Sequence, residues 1–204
     1  MADPSGHSSE DRLESPQTAY YHAFDRASRA LAAIPLETSS AIEATRVVHR
    51  LSEELTGRLA ELPSRDCGSA CSACCHFEVG LREPEAILLA STISSHPDRE
   101  RILGSIRTAS KTERPPLSPC PLLDESGRCS TYAARPLPCR GWSASSRDLC
   151  HAHLSDTSIE PAPLPTGYAL HLGLGDALDD WSRRAGMVPG PQSLPDRLSR
   201  AGDN

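Results

Sequence analysis

The cysteines of this chain are concentrated in one internal segment. All eight lie between Cys67 and Cys150, and the flanking residues 1–66 and 151–204 contain none. A free cysteine usually behaves as a small buried hydrophobe, so cysteines serving only the core would be scattered along the chain. Their concentration indicates thiolates that converge on a positive centre, which predicts a metal site. The candidate ligands are Cys67, Cys71, Cys74, Cys75, Cys120, Cys129, Cys139 and Cys150.

The expected compartment favours metal binding over disulfides. The N-terminal residues lack the basic start and apolar run of a secretory signal, and no stretch reaches the length that crosses a bilayer. We therefore expect a cytoplasmic protein whose thiols stay reduced and bind metal or react. Disulfides are also disfavoured by geometry, because adjacent cysteines such as Cys74 and Cys75 seldom bridge each other without strain.

Composition excludes some functions and bounds the core. The net charge of −6 and the aromatic content of 4% argue against a nucleic-acid partner and against an anionic membrane surface. A protein partner stays open. Eighteen prolines and thirteen glycines indicate long irregular stretches, so a bound metal would compensate for a limited apolar core.

Helical patterns precede the cysteines. Residues 1–15 are polar, which predicts a disordered tail. A helix is predicted over residues 17–34, ended by Pro35, and a second begins with a capping box of Ser40 and Glu43 and ends at Pro63. Both form a predicted platform, residues 16–63. The second helix carries an apolar stripe at Ala44, Val48, Leu51, Leu55, Leu59 and Leu62, which we interpret as core packing.

The remainder is predicted to be less regular. A short strand is expected over residues 76–81 and helices from Pro84 and from Asp98 to about Lys111. A tight hairpin at residues 124–127 would bring Cys120 and Cys129 to one side of a pocket. A last helix is expected over residues 167–185 and a loose tail over residues 188–204. The predicted fold is mainly α with irregular metal-binding loops and a small β-hairpin. We expect one domain, residues 16–185, with its metal-binding region at 67–153.

The ligand chemistry limits which metals fit. Soft thiolates select zinc, cuprous copper or iron–sulfur clusters over magnesium or calcium. Eight cysteines could fill two tetrahedral sites, and the adjacent Cys74 and Cys75 point apart, so we expect ligands from the 67–75 and 120–150 groups to meet in space. Further candidates are His76, His151 and His153 as ligands, and Arg128, Arg135 and Arg140 as compensating charges. Among the histidines, His76 is favoured because it follows Cys75.

These motifs resemble a known family. Cys67-x3-Cys71-x2-Cys74-Cys75, Cys120-Pro-x-Leu and Gly127-Arg-Cys129-Ser-x-Tyr132-x-x-Arg135-Pro136-x-x-Cys139-Arg140 are similar to the YkgJ-type cysteine-cluster family. The resemblance covers residues 67–150 and implies a domain that chelates zinc or iron. The family usually has two residues between its first two cysteines, whereas this chain has three, so Cys67 departs from the pattern.

Two other classes of function remain open. The spacing of Cys67, Cys71 and Cys74 also matches the radical S-adenosylmethionine motif, and flagellin lysine N-methylases contain a similar domain. Such an iron–sulfur enzyme would need βα units forming much of a barrel, which the sequence lacks. The other class is a zinc-stapled protein-interaction module. No Gly-rich phosphate loop follows a strand and no Gly-x-Ser-x-Gly motif occurs, so no catalytic residue is assigned.

Overall fold

Helices make up most of the described structure. In the computed structural model, the described residues are 13–67, 71–111 and 117–201. The fold is mainly α with one small antiparallel β-ladder, as the sequence predicted. The helices are α1 (Pro16–Leu31), α2 (Ala41–Thr56), α3 (Glu83–Ser94), α4 (Arg99–Lys111), α5 (Leu137–Gly141), α6 (Arg147–Ser155), α7 (Pro165–Arg184) and α8 (Leu194–Ala201), and the strands are β1 (Gly80–Leu81) and β2 (Gln192–Ser193).

Helices α1, α2 and α7 enclose the largest of the apolar clusters formed by the described residues. The hydroxyl of Ser15 caps α1 by accepting from the Thr18 backbone N–H at 3.1 Å. Small side chains on α1 and Gly173 on α7 allow the two helices to approach closely, because a Cβ at Gly173 would overlap the Tyr20 carbonyl oxygen. Buried positions of α1 and α2 include Ala19, Ala23, Ala27, Leu31, Ala44, Val48, Leu51 and Leu55.

The start of α2 differs from the prediction. Ser40 has a helical backbone (φ −87°, ψ 0°) and caps no N–H of α2, so the predicted capping box with Glu43 is absent. A 3₁₀ turn, Thr38–Ser40, leads directly into the helix instead, and the Ser40 hydroxyl contacts Glu37 Oε1 at 3.5 Å. The helical backbone of Ser40 explains the error, since an N-cap serine needs extended dihedrals to reach back to the first turn.

The C-terminal residues form ordered structure where a loose tail was predicted. Strand β2 pairs antiparallel with β1, with Gly80 opposite Ser193 and Leu81 opposite Gln192. Helix α8 then buries Leu194 and Leu198, both 3% exposed, in the second core with α3 and α4. The prediction failed because the Pro- and Gly-rich composition around residues 186–195 outweighed a short apolar spacing of four residues, which is one helical turn.

The last residues of the N-terminal segment predicted to be disordered are ordered in the structure. Residues 1–12 of the tail predicted to be disordered lie outside the described residues. Leu13, however, is 3% exposed and forms a bridge with Leu59, with its backbone N–H donating to the Arg58 carbonyl at 3.0 Å. Burial of one leucine side chain is worth about 2 kcal/mol, enough to hold the short segment that leads into α1.

The predicted strand and hairpin are shorter than expected. Residues Ala73–His76 form a 3₁₀ turn, so the strand predicted over residues 76–81 shrinks to Gly80–Leu81. Between Cys120 and Cys129, one antiparallel bridge joins Leu123 to Cys129, and Gly127 takes the positive φ of 75° that the turn requires. Cys120 and Cys129 are therefore brought near each other by a tight turn, with little strand pairing.

The length and composition of the helices show whether any of them could span a membrane. Among the described residues, none of the helices combines the length and the apolar content needed to cross a bilayer.

Candidate metal centre

The two cysteine groups lie against each other. The Cys120 backbone N–H donates to the Cys75 carbonyl at 2.7 Å, which joins the 71–77 segment to the 117–130 segment. The helical excursion of α3 and α4 returns the chain to this point. A pocket of about 390 Å³ lies at the junction. The cysteines that line it are Cys71, Cys74, Cys75, Cys120, Cys129 and Cys139.

Cys139 is surrounded by thiols from other segments. It lies on α5, and burial together with the nearby Cys120, Cys74 and Cys129 raises the pKa of its thiol well above the ordinary value. Thiols that raise one another's pKa gain from a cation placed between them, because the cation stabilises the thiolate forms. The donor set therefore fits a thiophilic metal.

Cys74 and Cys75 form the bridge between the two groups. A hydrogen bond to Cys75 and burial raise the pKa of the Cys74 thiol, whereas the Arg135 guanidinium acts in the opposite direction. Both residues lie in the 3₁₀ turn Ala73–His76, whose Cys75 N–H donates to the Ser72 carbonyl at 2.9 Å. The turn presents both sulfurs to the pocket, so the prediction that Cys74 and Cys75 point apart is wrong.

Cys67 and Cys150 lie on the opposite side of that turn. The buried Cys150 of α6 packs with Ala73 and Ala144 in a small cluster that Cys67 and Cys71 also contact. Burial raises the pKa of the Cys150 thiol most, and the nearby Cys67, Cys71 and Cys74 raise it further. Cys71 therefore borders both groups, as its place in the pocket lining also shows.

The three candidate histidines differ in their contacts. His151 Nε2 lies 3.8 Å from Cys71 Sγ. His76, favoured because it follows Cys75, directs Nδ1 to the Ser72 carbonyl at 3.2 Å, and His153 directs Nδ1 to the Ile159 carbonyl at 2.6 Å. These bonds use Nδ1 and do not involve Nε2, as is common in metal-binding histidines, so His76 and His153 stay predicted ligands.

The three arginines have different roles. Arg135 stacks on the Tyr132 ring, 4.1 Å from its centroid, and its charge reaches Cys74. Arg140 instead binds Glu53 at 3.0 Å and the Arg135 and Ala133 carbonyls, which fastens the loop before α5 to α2. Arg128 is exposed and pairs with Asp124 at 3.7 Å. Arg135 is thus the arginine whose charge acts at the sulfurs.

The candidate ligands lie near one another, but their spacing is wider than that of ligands around one ion. Within residues 13–67, 71–111 and 117–201, no three or more His, Cys, Asp or Glu side chains are close enough together to hold an ion. The chemistry of the donors, all soft thiols with one imidazole, nevertheless fits zinc or iron.

A buried carboxylate that the sequence analysis missed supports Cys139. Glu85, 1% exposed, accepts from the Leu137 backbone N–H at 2.6 Å and from the Arg82 N–H at 3.2 Å. It therefore ties the start of α3 to the start of α5. Pro84 followed by an acidic residue in the first helical turn was the available signal, since carboxylates there commonly accept backbone N–H bonds.

A buried histidine also lines the pocket from α7. His171 Nδ1 donates to the Gly167 carbonyl at 2.7 Å, and its Nε2 accepts from the Ser52 hydroxyl at 2.8 Å. Burial lowers the pKa of His171 to about 4. Neutral His171 joins α7 to α2 beside α5, where a Cβ at Gly141 would clash with its ring.

This lowered pKa predicts a pH dependence. The unfolded chain binds a proton at His171 near pH 6.5, whereas the folded protein resists it until about pH 4. The contribution of neutral His171 to the free energy of unfolding is therefore fully present above pH 6.5. It falls by about 3 kcal/mol as the pH drops to 4. H171Q should lose this component, so its stability relative to wild type should rise as the pH falls from 7 to 4. Urea unfolding across this range measures it, with H96Q as control; parallel pH profiles for H171Q and wild type would contradict the assignment.

Comparisons with known proteins agree with the cysteine pattern. Residues 66–158 match the model of the CxxCxxCC family, described as a "putative zinc- or iron-chelating domain". The matched segment contains all eight cysteines. The comparisons with curated proteins and with solved structures gave no match. Residues 66–158 of this chain therefore form a cysteine-cluster domain of the CxxCxxCC family.

Proposed function

We propose that this protein holds zinc or iron through the cysteines that line the 390 Å³ pocket, with the metal fastening three chain segments to one another. The core of this centre is Cys74, Cys120, Cys129 and Cys139, and Cys75 supplies a neighbouring sulfur. The observation that carries the proposal is the convergence of these cysteines from the 73–76 turn, the 120–129 turn and α5.

The charge around the pocket supports the proposal. Four thiolates around a divalent ion carry a net charge of −2, which needs nearby compensation. Arg135 acts at Cys74, and Arg82 also lines the pocket, held by Asp179 at 2.9 Å. Aromatic and aliphatic side chains, including Trp142 and Leu122, form much of the remaining wall. A low-dielectric wall strengthens the attraction between thiolates and a cation.

The backbone supports it as well. Cys120 and Cys129 begin and end a turn that Asp124 closes, since its carboxylate accepts the Ser126 and Arg128 backbone N–H groups at 2.9 and 2.8 Å. Glu85 fixes the start of α5 before Cys139. Ligands held on such short, pinned segments lose little additional conformational freedom when metal binds.

The enzyme alternative finds less support. A radical S-adenosylmethionine enzyme needs parallel strands that form much of a barrel. In the described part of the chain, the paired strands are the two-residue β1 and β2, and they run antiparallel. We therefore favour binding of metal over this chemistry, and we expect the protein to reside in a reducing compartment.

Serine substitutions test the proposed centre. Because a serine hydroxyl is a poor ligand for soft metals, C129S and C139S should each remove most of the metal from the pocket. C67S and C150S should leave this metal in place, because both residues lie outside the pocket lining. Metal analysis and the visible spectrum of anaerobically purified protein measure the outcome and distinguish iron–sulfur from zinc.

Circular dichroism of each variant controls for misfolding. Full metal content at the pocket in both C129S and C139S, or metal-free wild-type protein, would overturn the proposed function.

A further inference from the structure

We propose that Cys67, Cys71, Cys150 and His151 form a second metal site, distinct from the pocket centre and made of three thiolates and one imidazole. The inference deepens the proposed function and rests on it. It also accounts for the cysteines that lie away from Cys129 and Cys139.

The contact between Cys71 and His151 has the separation of two ligands on one metal. Zinc binds sulfur at about 2.3 Å and imidazole nitrogen at about 2.0–2.1 Å, so a tetrahedral angle places the two donor atoms about 3.6 Å apart. Cys71 Sγ and His151 Nε2 are 3.8 Å apart. Closure onto an ion would need a displacement of a few tenths of an ångström between these atoms.

Cys71 also connects His151 to Cys150. Cys150 and His151 are neighbours on α6, and successive side chains of a helix point about 100° apart, so they do not face each other directly. The Cys71 side chain lies against both, since it contacts His151 and packs on the small cluster that contains Cys150. A metal beside Cys71 could therefore be reached from both positions of the helix.

Cys67 is held in place by the backbone before α6. Its sulfur accepts the Ala144 backbone N–H at 3.3 Å, and the Asp66 N–H donates to the Ala144 carbonyl at 2.9 Å. The Asp66 carboxylate in turn accepts the Arg147 N–H at 2.9 Å, in the first turn of α6. These contacts fix Cys67 against the helix that carries Cys150 and His151.

This division gives each site a workable number of ligands. The pocket keeps Cys74, Cys75, Cys120, Cys129 and Cys139, which are enough for a four-coordinate ion without Cys67 or Cys150. The second site has charge −1 with a divalent ion, because the imidazole ligand is neutral. It therefore needs less compensation, and this side of the domain presents the exposed His151 to solvent.

Metal stoichiometry with matched variants tests the inference. Zinc-loaded wild-type protein should hold two equivalents, and cadmium-113 NMR of cadmium-loaded protein should show two resonances, one with a nitrogen ligand. H151A should weaken the second site more than about 100-fold, since loss even of groups outside the ligand shell costs about 10–100-fold. C67S should weaken the same site, and both variants should leave the other resonance unchanged. H153A, two residues further along α6, is the control and should retain both equivalents.

Each result has one reading. One equivalent of metal in wild type, lost in C129S and kept in H151A and C67S, would overturn the second site while leaving the proposed function intact. Two equivalents with an unchanged spectrum in H151A would also overturn it. Wild-type protein without metal would refute the proposed function itself.

Discussion

Removal of the metal should lower the melting temperature by at least about 10 °C. The segment from residue 117 to residue 164 consists of turns and two short helices, and the apolar cluster beneath α6 has three buried members, Ala73, Ala144 and Cys150. Such a segment has little apolar burial to offset its conformational entropy. Structural zinc sites contribute about 10–16 kcal/mol of binding free energy in small domains. Even half of that corresponds to a shift of at least this size in a chain of 204 residues, at about 2–4 °C per kcal/mol.

The loss should be confined to part of the molecule. The larger core draws its members mostly from α1, α2 and α7, with Leu137 from the cysteine segment. Hydrogen exchange after chelation should therefore increase in residues 117–155 while α1 and α7 stay protected. The measurement needs a strong chelator, a reductant and re-addition of metal, and C129S/C139S protein as control should show a much smaller shift. An unchanged melting curve after verified removal of metal would contradict the prediction.

Helices whose apolar residues recur at a helical period could be predicted from the sequence. The stripe from Ala44 to Leu55 is buried along α2, because the pattern and the tertiary contacts agree there. Helix α8 was missed because an eight-residue helix has too few turns for its pattern to outweigh nearby prolines. Its burial depends on α3 and α4, which no local pattern reveals.

The candidate ligands could be predicted as residue types, but their grouping could not. Concentration of cysteines in one segment is visible in the sequence, whereas the border position of Cys71 depends on where the 3₁₀ turn and α6 meet. Glu85 could have been suspected from its place in a first helical turn. Its bond to Leu137, 52 positions further along the chain, is a tertiary contact that sequence spacing does not encode.

The glycine at position 173 should be among the least replaceable residues of the larger core. In G173A the new methyl group would overlap the Tyr20 carbonyl and press on the Phe24 backbone, so α1 and α7 would have to separate. Because the obstructing atoms belong to the backbone, no side-chain rotation relieves the clash. Overpacking of this kind costs about 1–3 kcal/mol and occasionally more, and separation of the helices also weakens contacts along their length. We expect G173A to lose about 2–3 kcal/mol after the intrinsic helical advantage of alanine is included.

Gly104 offers the matched control for the same substitution. It lies inside α4, and a Cβ there would have no atom within 4 Å. G104A should therefore gain about 0.5–1 kcal/mol, because alanine restricts the unfolded chain and favours the helix. Urea unfolding of both variants in the metal-loaded form gives the two changes with opposite signs, and the melting temperatures should move by roughly −4 to −12 °C and +1 to +4 °C. If G173A were as stable as G104A, the close approach of α1 and α7 described here would be wrong.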